Sequence, residues 1–242
     1  MPIIALIIRT EPKRVLHKFP GFSKQALAFL GDLKKHNDRE WFTPRKAVYE
    51  EQLRLPMIEL VRAIHGEMLS FAPQYVGEPA KCVFRVYRDT RFSKDKTPYK
   101  THIAASFSHN ALEKRGAGYY LGVSPESVDI AGGLYAPEPD VLLAVRTRIA
   151  DDPAAFRKTF DTPKIKKIVG KPRGESAVRP PKGFAADHPA IDLIKRKQHV
   201  FFEHLDSAIA TTPKLFGEVL KRFEAMTPMI RFFDQALIDR RL

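Results

Sequence analysis

Cysteine is nearly absent from this chain: Cys82 is the sole one in 242 residues. No intrachain disulfide and no cysteine-rich zinc site can form, and a reducing cytoplasm is the expected compartment. Long hydrophobic runs are missing too. The apolar stretch Ile3 to Ile8 in MPIIALIIRTEPKR is far too short to span a bilayer, so no membrane partner is expected. It also lacks the basic leader and small-residue cleavage site of a signal peptide, and residues 1–18 are expected to form a terminal strand or a loose extension. No HExxH, GxSxG, Walker or GxGxxG pattern occurs, which removes the matching metal, nucleophile-elbow and nucleotide-loop chemistries and any expected cofactor. Among the eight histidines, His199 and His204 would project from opposite faces of a strand, and no metal is expected.

What is present is the composition of a folded globular protein, 44% hydrophobic with a mean hydropathy of -0.29. The length is enough to bury a core without covalent staples. The net charge of +13 is concentrated rather than dispersed. Residues 81–115 carry nine Lys or Arg against three acids, residues 156–182 carry nine against two, and the rest of the chain is neutral on balance. Two blocks of positive potential imply anionic partners.

Periodicity changes along the chain. Ser23 can cap a helix with Ala26, Leu27, Leu30 and Leu33 on one face, Asn37 or Asp38 a second helix interrupted near its start by Pro44, and a third runs from about Pro56 to Leu69. From 81 to 133 the period is two. CVFRVY, HIAASFS, GAGYYLGV and SVDIAGG read as strands, the last two joined by a turn at Pro125, which predicts an antiparallel meander of about four strands. Helical spacing returns at 141–149 and around Pro153 to Phe160. Residues 161–189, rich in Lys, Pro and Gly, read as a long basic surface loop. A helix at 190–197, an apolar strand-like HVFFEHL and two amphipathic helices separated by Pro228 complete the chain. This order predicts an α+β fold, a central antiparallel sheet with N-terminal and C-terminal helices packed against it, as one domain over 19–242.

The segment FRVYRDTRFSKDKTPYKTH, residues 84–102, is the main candidate site. Arg85, Arg88, Arg91, Lys94, Lys96 and Lys100 crowd into sixteen residues with only Asp89 and Asp95 among them. Strand parity turns Arg88 to the same side as Phe84 and Val86, so it must lie at a rim, follow a bulge or be paired, with Asp89 or Asp95 as its partner. One reading is an anion site for phosphate or carboxylate, in which Asp89 belongs to the ligand-binding cluster. The other is a salt-bridged structural loop. Tyr99 and His102 adjoin the cluster as candidate proton donors or acceptors. The two basic blocks and the aromatics Phe84, Tyr87, Phe92, Tyr99, Phe107, Tyr119 and Tyr120 leave a nucleic-acid-binding module as the alternative to an anionic small molecule.

The motifs FPGFSKQALAFLGDLKKHNDREWF, RVYRDTRFSKDKTPYKTH and GAGYYLGVSPESVDIAGGLYAPEPDVLLAVRTRI, in that order, resemble the uncharacterised family called domain of unknown function 2461. The resemblance covers residues 19 to about 240. It implies a stand-alone intracellular domain and no assigned activity, and it singles out Arg88, Asp89, Arg91, Phe92, Lys94, Lys96, Pro98, Tyr99 and Lys100 as hallmark positions. Residues 161–189 carry no motif of that family.

Overall fold

The computed structural model describes residues 19–112 and 115–240, and the expectation for residues 1–18 falls outside them. Ser23 opens helix α1 (Lys24–Lys35), its hydroxyl accepting from the Ala26 amide at 3.0 Å, and Asp38 caps α2 (Arg39–Phe42) through the Trp41 amide at 2.8 Å. Each cap satisfies a donor that the helix itself leaves unpaired. Pro44 then forces a tight turn before α3 (Lys46–Tyr49). A π-helical stretch over Glu50–Arg54 precedes α4 (Leu55–Phe71), where Pro56 has no amide to donate to the preceding turn. The short α5 (Pro79–Cys82) leads toward the sheet.

The sheet is fully antiparallel, in the order β1 (Ile103–Ser108), β2 (Gly118–Val123), β3 (Ser127–Leu134), β4 (His199–Asp206). An α+β architecture is thus established, with helices before and after the sheet in the chain. The predicted meander is corrected at one end. HVFFEHL, not CVFRVY, supplies the fourth strand, and CVFRVY makes only isolated bridges, Val83 to Ala105 and Tyr87 to Tyr99. The ladder breaks at the bend of Thr101 and His102, across which the pairing register shifts by two residues. The chain leaves the β1 edge after the Phe84 amide bonds to the Ala104 carbonyl at 2.9 Å. It then pairs with residues 98–100 instead, through Arg88 N–H to Pro98 O (2.9 Å) and Lys100 N–H to Val86 O (2.8 Å).

Between β3 and β4 lie α6 (Pro139–Asp151), α7 (Pro153–Lys158), α8 (Pro163–Val169) and α9 (Ile191–Ile194). The expected long loop at 161–189 therefore contains a helix. Its Thr162 cap and the buried Ile165 and Val169 hold it in place, an apolar spacing masked by Lys164, Lys166 and Lys167. The predicted pair of C-terminal helices is one helix, α10 (Lys214–Ile238), running through Pro228. Its buried stripe Leu215, Val219, Phe223, Met226, Ile230, Phe233 and Leu237 is unbroken. Pro228 and Glu224 lie on the exposed side, where the carbonyl that Pro228 cannot serve meets water.

One face of the sheet meets these helices. Phe107 and Tyr119 contact the Phe223 ring at centroid distances of 5.2 and 4.7 Å, and Phe107 meets His65 of α4 at 5.4 Å. Gly132 lets α10 approach, since a Cβ there would stand 2.7 Å from the Met226 sulfur. Fully burying a Phe or Leu stabilises the fold by about 1.5–3 kcal/mol. The other face carries small and aromatic side chains and stays partly accessible: Ser106, Tyr120, Asp129, Val200 and Phe202 are half-buried, and Ser108 and His204 are exposed.

Candidate functional site

Residues 84–102 form a hairpin leaning off the β1 edge, and the fate of its cations divides them. Arg91 holds Asp89 with two parallel bonds, Nε to Oδ1 at 3.0 Å and Nη2 to Oδ2 at 2.7 Å. Arg88 reaches across the hairpin to Asp95 and the Thr97 hydroxyl, while the Thr97 amide donates to Asp95 at 2.9 Å. These bonds favour the ionised carboxylates, pulling Asp89 and Asp95 down to about 2. Lys96 donates to the Thr90 carbonyl at 2.9 Å. The Arg85 and Lys94 side chains are exposed, with no hydrogen-bonded or ion-pair partner among the described residues. Phe92 at the tip is 94% exposed, with the Arg91 guanidinium 5.7 Å from its ring. The tip is thus a salt-bridged turn.

Parity is also corrected. Val83 and Val86 turn inward, and Phe84, predicted to face the core, is 40% exposed. Because Val83 rather than Phe84 stands opposite the core residue Ala105, Phe84 falls on the accessible face of the sheet, its ring 6.3 Å from that of Tyr120. Arg88 is half-buried at the rim and pairs with Asp95 alone of the two acids.

At the base of the hairpin, Lys34, Asn37, Arg88, Asp95, Thr97, Tyr99, Lys100, Thr101 and His102 line a pocket of about 390 Å³. Asn37 fixes its wall, donating to the Tyr99 carbonyl at 2.9 Å and accepting from the Tyr99 amide at 3.0 Å. The Tyr99 ring is 4% exposed and stacks on Phe42 at 4.1 Å. Burial raises the pKa of its phenol. The structure thus gives Tyr99 a packing role. Lys100 donates to the Arg85 carbonyl at 3.0 Å with its ammonium 5.0 Å from the Phe84 ring. Burial, then the neighbouring Arg85 charge, lower its pKa. His102 is pushed down by burial and by Lys100, against a smaller upward pull from Asp129. Lys34 pairs with Glu126 at 2.6 Å.

The accessible sheet face adjoins this corner. Strand register sets Ser106, Tyr120, Ala131 and Phe202 in one row, and Ala104, Gly122, Asp129 and His204 in the next. The Tyr120 ring lies down over Gly122, where a Cβ would stand 2.7 Å from the phenolic oxygen and 3.1 Å from two ring carbons. Burial, with the Asp129 charge behind it, takes its phenol up to about 12. Asp129 accepts from the Ser127 hydroxyl at 2.7 Å and pairs with His204 Nδ1 at 2.8 Å. Beside this row is a depression of about 390 Å³, lined among others by Ser106, Tyr120, Asp129, Phe202 and Tyr135, the last 78% exposed.

Of the aromatics singled out in the sequence, Tyr99, Phe107 and Tyr119 belong to the core, and Phe84 and Tyr120 to this face. Phe202, Tyr135, Asp129 and His204 went unassigned. Alternation within SVDIAGG for Asp129 and within HVFFEHL for Phe202 and His204 is the local signal, and Tyr135 has none. The second basic block reaches the same face at Arg173. Arg173 and Val200 exchange both backbone hydrogen bonds, at 2.6 and 2.9 Å, so the Arg173 side chain projects on the side of Val200, which lines the depression.

No group of three or more potential metal-binding His, Cys, Asp or Glu side chains occurs among the described residues, and no helix among them is long and apolar enough to cross a membrane. No curated protein and no solved structure matches the chain. A family model described as conserved hypothetical protein (DUF2461) does match, over residues 25–232, and the chain belongs to that family.

Proposed function

We propose that the pocket at the base of the hairpin binds the phosphate or carboxylate group of an anionic ligand. The observation that carries this reading is convergence. Lys34 from the end of α1, Arg88 and Lys100 from the two arms of the hairpin, and His102 ahead of β1 line one pocket of about 390 Å³. Asp95 is its one acidic lining residue.

Arg88 and Lys100 play different parts. Arg88 is pre-organised by Asp95 and Thr97, and its remaining guanidinium donors have a fixed direction. Among the described residues the Lys100 ammonium is hydrogen-bonded only to a neutral carbonyl, and it is partly stripped of water, so an incoming anion restores the favourable interactions that burial removed. His102, its pKa lowered, is largely neutral near pH 7 and offers one donor and one acceptor. Arg91, Lys94 and Lys96 lie toward the tip and serve only the long-range field that draws anions in.

Titration of the full chain with inorganic phosphate, pyrophosphate and citrate, followed by calorimetry and thermal melting, tests this. A bound anion at one hundred times its dissociation constant stabilises the fold by about 2.7 kcal/mol. Lys100→Met should abolish that shift and Lys94→Met should leave it unchanged. Equal responses from both variants, or no response from the unmodified chain, would remove the proposal.

A further inference from the structure

We infer that the accessible face of the sheet is a stacking platform for single-stranded nucleic acid, and that the anion held at the hairpin base is one of that strand's phosphates. This rests on the anion-binding reading of the hairpin pocket and extends it to a ligand.

Three independent features point to a strand. First, the face is paved with small residues, Ala104, Ser106, Ser108, Gly118, Gly122 and Ala131, from which aromatic rings stand out. The phenolic end of the half-buried Tyr120 ring reaches over Gly122. Phe84 neighbours it at 6.3 Å, Phe202 occupies the same cross-strand row two strands away, and Tyr135 edges the depression. Every base has a π-face, so such rings accept bases without regard to sequence.

Second, cations sit at opposite edges of the platform. Lys100 stands against Phe84 beyond β1, and Arg173 stands beside Val200 beyond β4. At about 4.8 Å per strand spacing, the face between the Phe84 and Arg173 segments is roughly 24 Å wide. A single phosphate-bearing metabolite would meet one edge, whereas a chain of phosphates crossing the sheet meets both.

Third, Asp129 on this face already has its hydrogen-bond partners within the sheet, Ser127 and His204, which lessens its repulsion of a polyanion. The net charge of +13 adds a long-range attraction. A duplex keeps its bases stacked on one another and presents none of their faces to these rings.

The test uses the full chain and a labelled oligonucleotide of about eight nucleotides, within the roughly 4–16 that sheet-based single-strand sites take. Fluorescence anisotropy is read across a salt series, with a mononucleotide, a duplex and inorganic phosphate as comparison ligands. The unmodified chain should prefer the single strand over mononucleotide and duplex, with affinity falling steeply in salt. Tyr120→Leu with Phe202→Leu should lower oligonucleotide affinity on the order of tenfold or more while phosphate binding at the hairpin base persists. Arg173→Gln, an exposed change independent of whether the double variant folds, should flatten the log–log salt slope by about 0.7, the loss of one phosphate contact.

An unchanged oligonucleotide affinity in the double variant, or an unchanged slope in Arg173→Gln, would overturn the platform. Phosphate bound but the oligonucleotide held no better than the mononucleotide would also overturn it, leaving the hairpin pocket as a small-anion site. Loss of both phosphate and oligonucleotide binding in the unmodified chain would remove both readings together.

Discussion

Arg88 and Asp95 clasp the two arms of the hairpin, with the Thr97 hydroxyl sharing the same guanidinium. The pair sets the shape of the pocket as well as its charge, because Asp95 also takes the Thr97 amide and so orders the chain that leads to Lys100. Asp95→Ala should therefore weaken anion binding even though it removes a negative charge from the pocket. The expected outcome is lower phosphate affinity together with faster hydrogen exchange at Thr97 and Lys100. Tighter phosphate binding in Asp95→Ala would show that charge outweighs positioning here. Because Asp95 is pulled down to about 2, the clasp should persist through mild acid.

His199 is fully buried, with Phe156 and Phe233 at centroid distances of 5.3 and 5.5 Å and neither ring nitrogen bonded among the described residues. Burial, helped by the charges of Arg196 and Arg146, pushes its pKa from 6.5 down to about 3. The folded state resists the proton that the unfolded chain accepts. This stabilisation is therefore complete above pH 6.5 and is lost as pH falls toward 3, at up to about 1.4 kcal/mol per pH unit. His199→Leu should remove that slope, seen as a urea midpoint that rises relative to the unmodified chain's as pH falls from 6.5 to 4. Identical pH slopes would sink the assignment.

Asp234 works in the opposite sense. Its carboxylate accepts from the Tyr75 hydroxyl, its Oδ1 has no partner among the described residues, and burial raises its pKa from 3.8 to about 7. The folded state holds a proton that the unfolded chain releases. Stability is complete below pH 3.8 and declines as pH rises through 7. Between pH 4 and pH 6.5 the two groups pull against each other, so the unmodified chain shows little of either. Asp234→Asn keeps an acceptor for Tyr75 and removes only this titration, and its stability should fall more steeply on acidification than that of the unmodified chain. A parallel pair of urea-midpoint curves would refute the opposition.

The parts legible in the sequence are those decided within a few residues. Ser23 reads as one cap and Asn37 or Asp38 as the next, and Ser23 and Asp38 cap. Ile103, Ala105 and Phe107 alternate, and they face the core. The failures are tertiary. Pro228 is a local breaker, yet the apolar stripe from Leu215 to Leu237 gains more by staying helical than one missing hydrogen bond loses. Phe84 matched a strand pattern, but the bend at Thr101 and His102 broke the ladder and Val83, one residue earlier, took the inward position. The candidate site depends on such long-range facts most of all. Lys34 shares a pocket with Lys100 because Asn37 bonds the Tyr99 backbone across 62 residues, and Phe202 joins the row of Tyr120 through the pairing of β4 with β3 across α6 to α9. Residue type marked the hairpin, and pairing decided which of its cations share a pocket.

Gly122 offers the sharpest separation of platform from fold. It sits beneath the Tyr120 ring, and a methyl group there would overlap the phenolic oxygen at 2.7 Å. No positive φ is recorded at this glycine, so Gly122→Ala strains no backbone and acts only by lifting the ring. A half-buried side chain at a sheet surface can swing outward, which holds the stability loss to about 1–3 kcal/mol, the usual range for overpacking. The hairpin pocket has no lining residue from β2, so phosphate affinity should hold. The expected result is a folded protein that binds phosphate normally and single strands weakly, measured by calorimetry and anisotropy on the same preparation. Undiminished oligonucleotide binding in Gly122→Ala would mean that the Tyr120 ring over Gly122 is not what a base stacks on.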